Sequence, residues 1–336
     1  MNAEHEAWLA QVREEPIDPS LPICDAHHHL WDRPDGRYLI DDFLGDARGG
    51  HRIVRTVYVE CRSMYRKDGP VEMRSVGETE HVTGVAERAA RAPGERVGVA
   101  CRIVGYADLR LGAGVAPVLE AHLMAGGNRF RGIRNVSTWH EDPTVALKAH
   151  NIPGLLSDTR FREGFALLRE YGLSFDACLF FTQLAELADL ARAFPNTPII
   201  LNHAGGILGT GPYAGKSDEV FRVWKRGMAA LAFCPNVCVK LGGLGEQNAG
   251  FGWRGRALPP TSAEMAKAMA PYFLACIEMF GADRCMFESN FPVDRRSCSY
   301  TVVWNAFKRI TERFSPGERI ALFHDTAARA YRFSPR

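Results

Sequence analysis

Three consecutive histidines follow a short apolar run near the start of the chain, in the sequence ICDAHHHLWD at residues 23–32. Side chains alternate between the two faces of a β-strand, so a strand at residues 23–29 would place Asp25, His27 and His29 on one face. Two imidazoles at the end of a strand can aim at one point and act as metal ligands or as general acid and base. We therefore predict that His27 and His29 belong to a functional site. The alternative is that these rings are buried structural groups held by hydrogen bonds.

Seven further predicted strands follow, most of them separated by helical segments. The eight strands are predicted at residues 23–29, 55–61, 97–104, 130–136, 173–180, 198–203, 237–241 and 285–291. They are short, apolar and rich in β-branched residues, which is typical of parallel strands covered on both faces. The pattern predicts an α/β protein, a single-domain (β/α)8 TIM barrel over residues 1–336 with extended βα loops, in which residues 1–22 form an N-terminal helix and lead-in. A doubly wound open sheet is the alternative.

The unusual polar residues of the chain fall where these strands end, which is where such barrels carry their catalytic groups. They are His27, His29, Glu60, Arg134, His203, Lys240, Glu288 and Asn290. The rigid guanidinium fork of Arg134 suits a substrate carboxylate or carbonyl, although it could instead tie a strand to a loop. Lys240 is predicted to bind substrate, with a buried ion pair to Glu60 as the alternative. Trp31 and Tyr38, in the loop after the first strand, are predicted to contact the substrate.

Composition and charge narrow the classes of protein and partner. The 336 residues are 46% hydrophobic, with a net charge of +2 and no block of lysine and arginine, so we expect a small-molecule substrate rather than nucleic acid or a membrane surface. The first residues lack the apolar segment of a secretory signal. The nine cysteines contain no C-x-x-C pair, which indicates a reduced, cytoplasmic protein. Barrels of this kind often pair, so a homodimer is compatible with the sequence.

Five motifs, in this order and on these strands, carry a family resemblance: DAHHHLWD, FRGIRN, ILNHAGG, VKLGGL and ESNFPVD, with DTAARAYRF near the C-terminus. They resemble the amidohydrolase superfamily, and in it the amidohydrolase-related branch that contains 2-pyrone-4,6-dicarboxylate lactonases and the L-fucono- and L-rhamnono-lactonases. The resemblance spans nearly the whole chain from residue 23 onwards. It implies a TIM-barrel hydrolase and leaves the substrate open.

The resemblance makes His27 and His29 the strand-one pair, His203 the strand-six histidine and Arg134 the residue that holds the substrate. Asn290 stands where the family has an aspartate, and an amide cannot serve as a general base. The strand-five histidine and the strand-four lysine of two-metal members are also missing. These departures argue against a binuclear metal site. The resemblance implies either one Zn²⁺ or another divalent metal, held by His27, His29 and His203, or metal-independent catalysis.

The residues and the resemblance together predict a hydrolase that opens a lactone or a related ester or acyl bond of a small polar, carboxylated substrate. Arg134 and the histidines would polarise the carbonyl, and His203 would steady the intermediate or protonate the leaving oxygen. Water would be deprotonated by Glu60 or by Glu288, whose pKa we expect burial to raise. One alternative is a lyase, a mononuclear-metal decarboxylase of aromatic acids. Another is a repurposed barrel that binds a small metabolite.

Overall fold

Eight parallel strands form one sheet that curls into a barrel. The computed structural model describes residues 3–34, 36–145 and 152–333. The sheet is built from β1 (Ile23–His28), β4 (Ile53–Val59), β5 (Gly98–Gly105), β6 (Phe130–Val136), β7 (Ser174–Cys178), β8 (Ile199–Leu201), β9 (Val237–Leu241) and β10 (Cys285–Phe287), in that order. Each strand pairs in parallel with the next strand in this order. The predicted (β/α)8 barrel is confirmed.

The first and last strands close the barrel through residues at the end of β1. His28 forms a parallel bridge with Phe291. The backbone N–H of His29 donates to the carbonyl of Phe291 at 2.8 Å, and that of Asn290 donates to the carbonyl of His27 at 2.9 Å. The segment after β10 is therefore bonded directly to the histidine motif, which brings Asn290 to the same end of the barrel as His27.

Helices surround the barrel and join its strands. They are α1 (Ala3–Leu9), α2 (Ile40–Ala47), α3 (Val76–Arg91), α4 (Ala116–Gly126), α5 (Thr159–Glu170), α6 (Leu184–Ala193), the one-turn α7 (His203–Gly206), α8 (Ser217–Ala232), α9 (Ser262–Phe280), α10 (Tyr300–Ile310), α11 (Pro316–Ile320) and α12 (Thr326–Ala330). Thr261 and Glu264 form a capping box at the start of α9, and Ser315 and Glu318 form one at the start of α11. Among the described residues, no helix has the length and apolar character needed to cross a membrane.

Two features of the strands differ from the sequence-based prediction. A small antiparallel hairpin, β2 (Trp31–Arg33) and β3 (Gly36–Tyr38), occupies the loop after β1 and was predicted as loop. The last strand, β10, ends at Phe287, four residues earlier than predicted. Asn290 has a φ of +54°, so the chain has already left the extended conformation there.

The barrel interior is packed with small and branched side chains. Its cluster contains Cys24, Ala26, Val57, Val59, Val104, Ile200 and Met286, together with Ala327 and Tyr331 from the C-terminal segment. A larger cluster fills the space between the strands and the helices. The tyrosine of the DTAARAYRF motif thus packs inside the barrel, where its hydroxyl donates to Asp176 at 2.8 Å.

Candidate active site

A pocket of about 690 Å³ lies where the barrel strands end. Six residues predicted from the sequence line it: His29, Trp31, Glu60, Arg134, His203 and Asn290. His27, Lys240 and Glu288 are completely buried: His27 and Glu288 contact the lining residues His29 and His203, and Lys240 contacts His27. Tyr38 lies elsewhere: it is buried beside a separate outer groove of about 1570 Å³, and its hydroxyl donates to Asp46 at 2.7 Å. The structure thus gathers all nine other predicted residues within or directly behind one pocket.

The histidine motif does not alternate as a regular strand would. A register irregularity lies between Asp25 and His28. Asp25 accepts hydrogen bonds from Ser289 and from Tyr300 of α10, whereas His27 and His29 face each other at the pocket. The prediction that Asp25 shares a face with His27 and His29 is therefore wrong. The carboxylate is used to join β1 to the segment after β10.

His28 is the structural histidine of the three. Its Nε2 contacts Thr56 Oγ1 at 2.9 Å, and its ring stacks on Phe43 with the ring centroids 4.2 Å apart. Burial lowers the pKa of His28 to about 3, so the ring is neutral. The middle histidine thus anchors the strand and leaves its two neighbours free to face the pocket.

His27 and His29 present their Nε2 atoms to each other across 3.1 Å. His29 donates from Nδ1 to the carbonyl of Val59 at 2.7 Å, which leaves the lone pair on its Nε2. Burial lowers the pKa of both rings well below the usual value, and Lys240 adds to this for His27 and Arg134 for His29. Both imidazoles are neutral, the form in which imidazole binds metals or accepts hydrogen bonds.

Glu288 lies behind two imidazoles. Its Oε1 accepts from Nδ1 of His203 at 2.7 Å, and its Oε2 lies 2.8 Å from Nδ1 of His27. Burial opposes the charge of Glu288, but His203 and Lys240 outweigh it and lower the pKa of the carboxyl. The expectation that burial raises this pKa is wrong. Glu288 does not line the pocket, and its carboxylate contacts the imidazoles of His27 and His203.

His203 begins the turn after β8 in a left-handed conformation, with a φ of +54°. Glycines make room for it: a Cβ on Gly243 would lie 2.3 Å from His203 Nδ1. Burial disfavours the protonated ring, but the carboxylate of Glu288 raises the pKa of His203 above its ordinary value. His203 is thus the one imidazole of the three at the pocket that is prepared to carry a proton.

Arg134 is fixed by Glu60 at the wall of the pocket. Its Nε donates to Glu60 Oε1 at 2.8 Å, its Nη2 donates to the backbone carbonyl of Glu60, and its Nη1 lies 3.3 Å from His27 Nε2. Burial opposes the charge of the guanidinium, but Glu60 raises the pKa of Arg134. A permanent cation is therefore held rigidly beside the imidazoles.

Lys240 pairs with an aspartate that the sequence-based prediction did not include. Its Nζ donates to Asp176 at 2.8 Å and lies 3.2 Å from His27 Nδ1. The alternative ion pair between Lys240 and Glu60 is not formed, because Glu60 pairs with Arg134. Lys240 does not line the pocket, so its contact with the pocket runs through His27.

Trp31 forms a side of the pocket next to the imidazoles. Its ring stacks near His29, with centroids 5.9 Å apart, and the guanidinium of Arg33 lies 4.6 Å from its ring centroid. Both Trp31 and Arg33 also line the outer groove. The hairpin β2–β3 therefore separates the central pocket from the groove outside it.

Asn290 joins two carboxylates that the predicted site did not contain. Its Nδ2 donates to Glu246 Oε1 at 3.2 Å and to Asp294 Oδ1 at 2.9 Å. Glu246 follows β9 in the Gly-rich segment 242–260 and lines the pocket. Asp294 is buried and also accepts from the backbone N–H of Gly245 at 3.0 Å. This part of the segment 242–260 is thus a wall of the pocket and not a detached lid.

The donor atoms of the site fit a single divalent cation. His27, His203 and Glu288 offer ligand atoms within 4.8 Å of one another. Glu288 Oε2 is buried and has no hydrogen-bond partner among the described residues, although His27 Nδ1 is 2.8 Å away. A proton on His27 Nδ1 would satisfy this oxygen and free Nε2 to face the Nε2 of His29. Of the three predicted ligands, His27 and His203 thus belong to this group, and the Nε2 of His29 lies 3.1 Å from that of His27.

The sequence matches known proteins along nearly its whole length. The amidohydrolase family model matches residues 24–333, and the chain belongs to this family. It is a hydrolase of the amidohydrolase superfamily. It is 36% identical to an uncharacterised protein of Sinorhizobium fredii, y4mH, over 93% of this chain and 99% of that protein. It is 29% identical to the L-fucono-1,5-lactonase of Burkholderia multivorans, over 68% of this chain and 70% of the lactonase.

A solved structure agrees with the fold. The crystal structure of an amidohydrolase from Burkholderia multivorans with bound zinc superposes with a TM-score of 0.70 at 24% identity, covering 92% of this chain and 99% of the other. At this level of identity the likeness shows the fold alone. The predicted superfamily and its lactonase branch are confirmed by the family match and the lactonase relatives.

Two acidic residues at the site escaped the sequence analysis although each left a signal. Asp176 is the one charged residue in the buried strand β7, SFDAC, and a buried carboxylate in such a strand requires a partner. Glu246 follows strand β9 by five residues, at the end of the barrel that carries catalytic groups. Glycines surround Glu246 in the sequence, and a Gly-rich segment is more typical of a loop without function than of a pocket wall.

Proposed function

We propose that this protein hydrolyses the lactone ring of a small polar acid. The observation that carries the proposal is the placement of Arg134: its guanidinium is held from behind by Glu60 and directs Nη1 toward His27 at the wall of the pocket. A fixed cation of this kind stabilises the negative charge that develops on a carbonyl oxygen when water attacks it. The lactonase relatives support an ester of this type as the substrate.

Other residues of the chain carry out or support the remaining steps of the hydrolysis. His203, whose pKa is raised by the carboxylate of Glu288, donates a proton to the ring oxygen that leaves the acyl carbon. Lys240 and Asp176 hold His27 in place from below. A divalent cation bound by His27 and His29, for which we propose zinc, would act as a Lewis acid on the carbonyl when present. Glu60 is committed to Arg134, and Glu288 lies outside the pocket, which leaves the proton acceptor for water to be identified.

Acid release from a panel of lactones tests the proposal. The panel contains L-fucono-1,5-lactone, L-rhamnono-γ-lactone and 2-pyrone-4,6-dicarboxylate, and CO₂ is measured in parallel. We expect acid release without CO₂ for at least one member, and a loss of about 100-fold or more in kcat/KM for Arg134→Lys, because a lysine loses the two-point contact with Glu60. Arg91→Lys, an exposed change on α3, is the matched control.

Two results would contradict this function. CO₂ release matching substrate loss would support the lyase alternative. Tight binding of a lactone without turnover would support the metabolite-binding barrel. Neither alternative has a specific contact in its favour among the residues that the structure describes, since β7 ends in Cys178 where the decarboxylase pattern has a histidine.

A further inference from the structure

The amide of Asn290 is a donor between two carboxylates. Its two N–H groups are both used, one on Glu246 Oε1 at 3.2 Å and one on Asp294 Oδ1 at 2.9 Å. The backbone reinforces the arrangement, because the N–H of Asp294 donates to the carbonyl of Asn290 at 3.1 Å. An aspartate at position 290 could not make these bonds and would place three carboxyl groups in mutual contact. The amide of Asn290 therefore supplies the donor that holds the carboxyl groups of Glu246 and Asp294 side by side.

The two carboxyl groups have different surroundings. Asp294 is buried, and burial together with the charge of Glu246 raises the pKa of Asp294 to about 8, so this group is neutral at neutral pH. Glu246 is partly exposed and lines the pocket. Within the described residues its Oε2 has no hydrogen bond, while Oε1 is held by Asn290. One oxygen of the Glu246 carboxyl group is thus anchored, and the other remains available at the pocket.

Charged groups around Glu246 come from several elements. His203 and Arg254 interact with it electrostatically, and Arg296 lines the same pocket from the segment after β10. The Gly245 N–H bond to Asp294 and the packing of Gly245 against that side chain fix the backbone beside Glu246. A Cβ at Gly245 would lie 2.7 Å from Asp294 Cγ, so the segment fits closely here. Glu246 thus lies on a closely packed part of the pocket wall.

We propose that Glu246, anchored by Asn290, is the catalytic carboxylate that accepts the proton of the hydrolytic water. The inference rests on the proposed lactone hydrolysis. In the step, the water oxygen bonds to the acyl carbon while one water proton passes to Glu246 Oε2. The bond between the acyl carbon and the ring oxygen then breaks, and the ring oxygen takes a proton from His203. The proton on Glu246 returns to solvent or to His203, so the products are a hydroxyl group and a carboxylic acid that ionises. The acid lost at position 290 has moved to the loop after β9.

Two variants and a second nucleophile test this role, on the lactone that the wild type hydrolyses. Glu246→Gln keeps the size of the side chain and its bond from Asn290 but cannot accept a proton. We expect kcat for hydrolysis to fall about 100- to 10,000-fold, the usual range for loss of a general base, with KM little changed. Hydroxylamine needs no deprotonation to attack, so hydroxamate formation above background should fall less than about tenfold. Glu278→Gln, an exposed change on α9, is the control.

The Asn290→Asp variant distinguishes a general base at Glu246 from a general base at position 290, where the family has an aspartate. Restoring the aspartate should lower hydrolysis by about tenfold or more, because it removes the donor to Glu246 and adds a like charge. Hydrolysis by Glu246→Gln within about twofold of wild type, equal loss of both nucleophiles, or a gain of activity in Asn290→Asp would each overturn the role of Glu246. A wild type that opens no lactone of the panel would overturn the proposed function itself, which is a different result.

Discussion

Glu288 accepts two hydrogen bonds from His203, one from the backbone N–H at 3.0 Å and one from Nδ1 at 2.7 Å. The carboxylate therefore fixes both the left-handed backbone and the ring of this residue. It also raises the pKa of His203, while His203 lowers the pKa of Glu288. In the proposed reaction, His203 is the proton donor and Glu288 is its buried counter-ion.

Replacement of Glu288 by glutamine should remove this control without unfolding the protein. We expect kcat to fall about 100-fold and KM to change little, since Glu288 does not line the pocket. Because the carboxylate raises the pKa of His203, its loss should move the alkaline limb of the kcat/KM profile to lower pH. Steady-state kinetics across pH, with circular dichroism as the folding control, measure this. Wild-type activity in the variant would remove Glu288 from the mechanism.

A methyl group at Gly243 should displace His203. The added Cβ would lie 2.3 Å from the imidazole Nδ1, and Gly243 has a φ of +69°. Gly252 offers a matched control, because its φ is +65° and a Cβ there meets nothing within 4 Å. Both Gly→Ala variants carry a similar backbone cost of about 1 kcal/mol. Only Gly243→Ala should lose activity, by about tenfold or more; equal activity in the two variants would mean that His203 tolerates the shift.

The barrel was predictable because each of its strands produces the same short pattern in the sequence. Eight short apolar runs with polar residues at their ends specify parallel strands and the end of the barrel that carries the site, and Arg134 and His203 were found in this way. The face of Asp25 was not predictable, because one register irregularity reverses the alternation from Asp25 to His27. The pairing of Lys240 with Asp176 was also not predictable from the sequence. Glu60 and Asp176 are both buried acidic residues on or directly after barrel strands, and the sequence pattern does not show which of them lies nearer to Lys240.

Metal binding is expected to depend on the two facing imidazoles. Wild type incubated with zinc and desalted should retain about one equivalent per chain, because Nε2 of His27 and of His29 converge with their Nδ1 atoms near acceptors. Plasma mass spectrometry of wild type and of the His27→Ala/His29→Ala variant measures this. The variant should lose the zinc, with His140→Ala, a half-buried histidine that does not line the pocket, as the control. Equal zinc in wild type and the double variant would contradict the ligand pair.

Glu78 links stability to pH at a distance from the imidazoles. It accepts hydrogen bonds from Tyr58 and from the backbone N–H groups of Cys61 and Ser63, and burial followed by the charge of Glu60 raises the pKa of Glu78 to about 7. The folded state thus binds this proton more tightly than the unfolded state. Its contribution is full below about pH 4.5 and is lost as the pH rises through about 7.

Denaturant unfolding of wild type and Glu78→Gln between pH 4.5 and 8 tests this linkage. The free energy of unfolding of wild type relative to the variant should fall by something on the order of 3 kcal/mol over that interval. The glutamine variant cannot titrate at this position and provides the reference at each pH. A difference that stays constant, or that grows as the pH rises, would show that the pKa of Glu78 is not raised in the folded protein.

The hydrogen-bond partners of Asn290 could not be predicted from the motif that contains this residue. The amide was recognised from the sequence as a departure that cannot act as a base, but its partners Glu246 and Asp294 lie 44 residues before it and four residues after it. Nothing in the spacing joins a Gly-rich segment to the end of another strand. The closed barrel brings Glu246 beside Asn290. This contact shows that the amide is a hydrogen-bond donor to two carboxyl groups.

Ring opening in ¹⁸O-labelled water tests the central claim most directly. If wild type directs water to the lactone carbonyl, mass spectrometry of the product should find one ¹⁸O atom, located in the new carboxylate, and the labelled product should form much more slowly with Arg134→Lys. Label in the new hydroxyl group, or substrate loss as CO₂ with no label in the acid, would contradict hydrolysis at the acyl carbon.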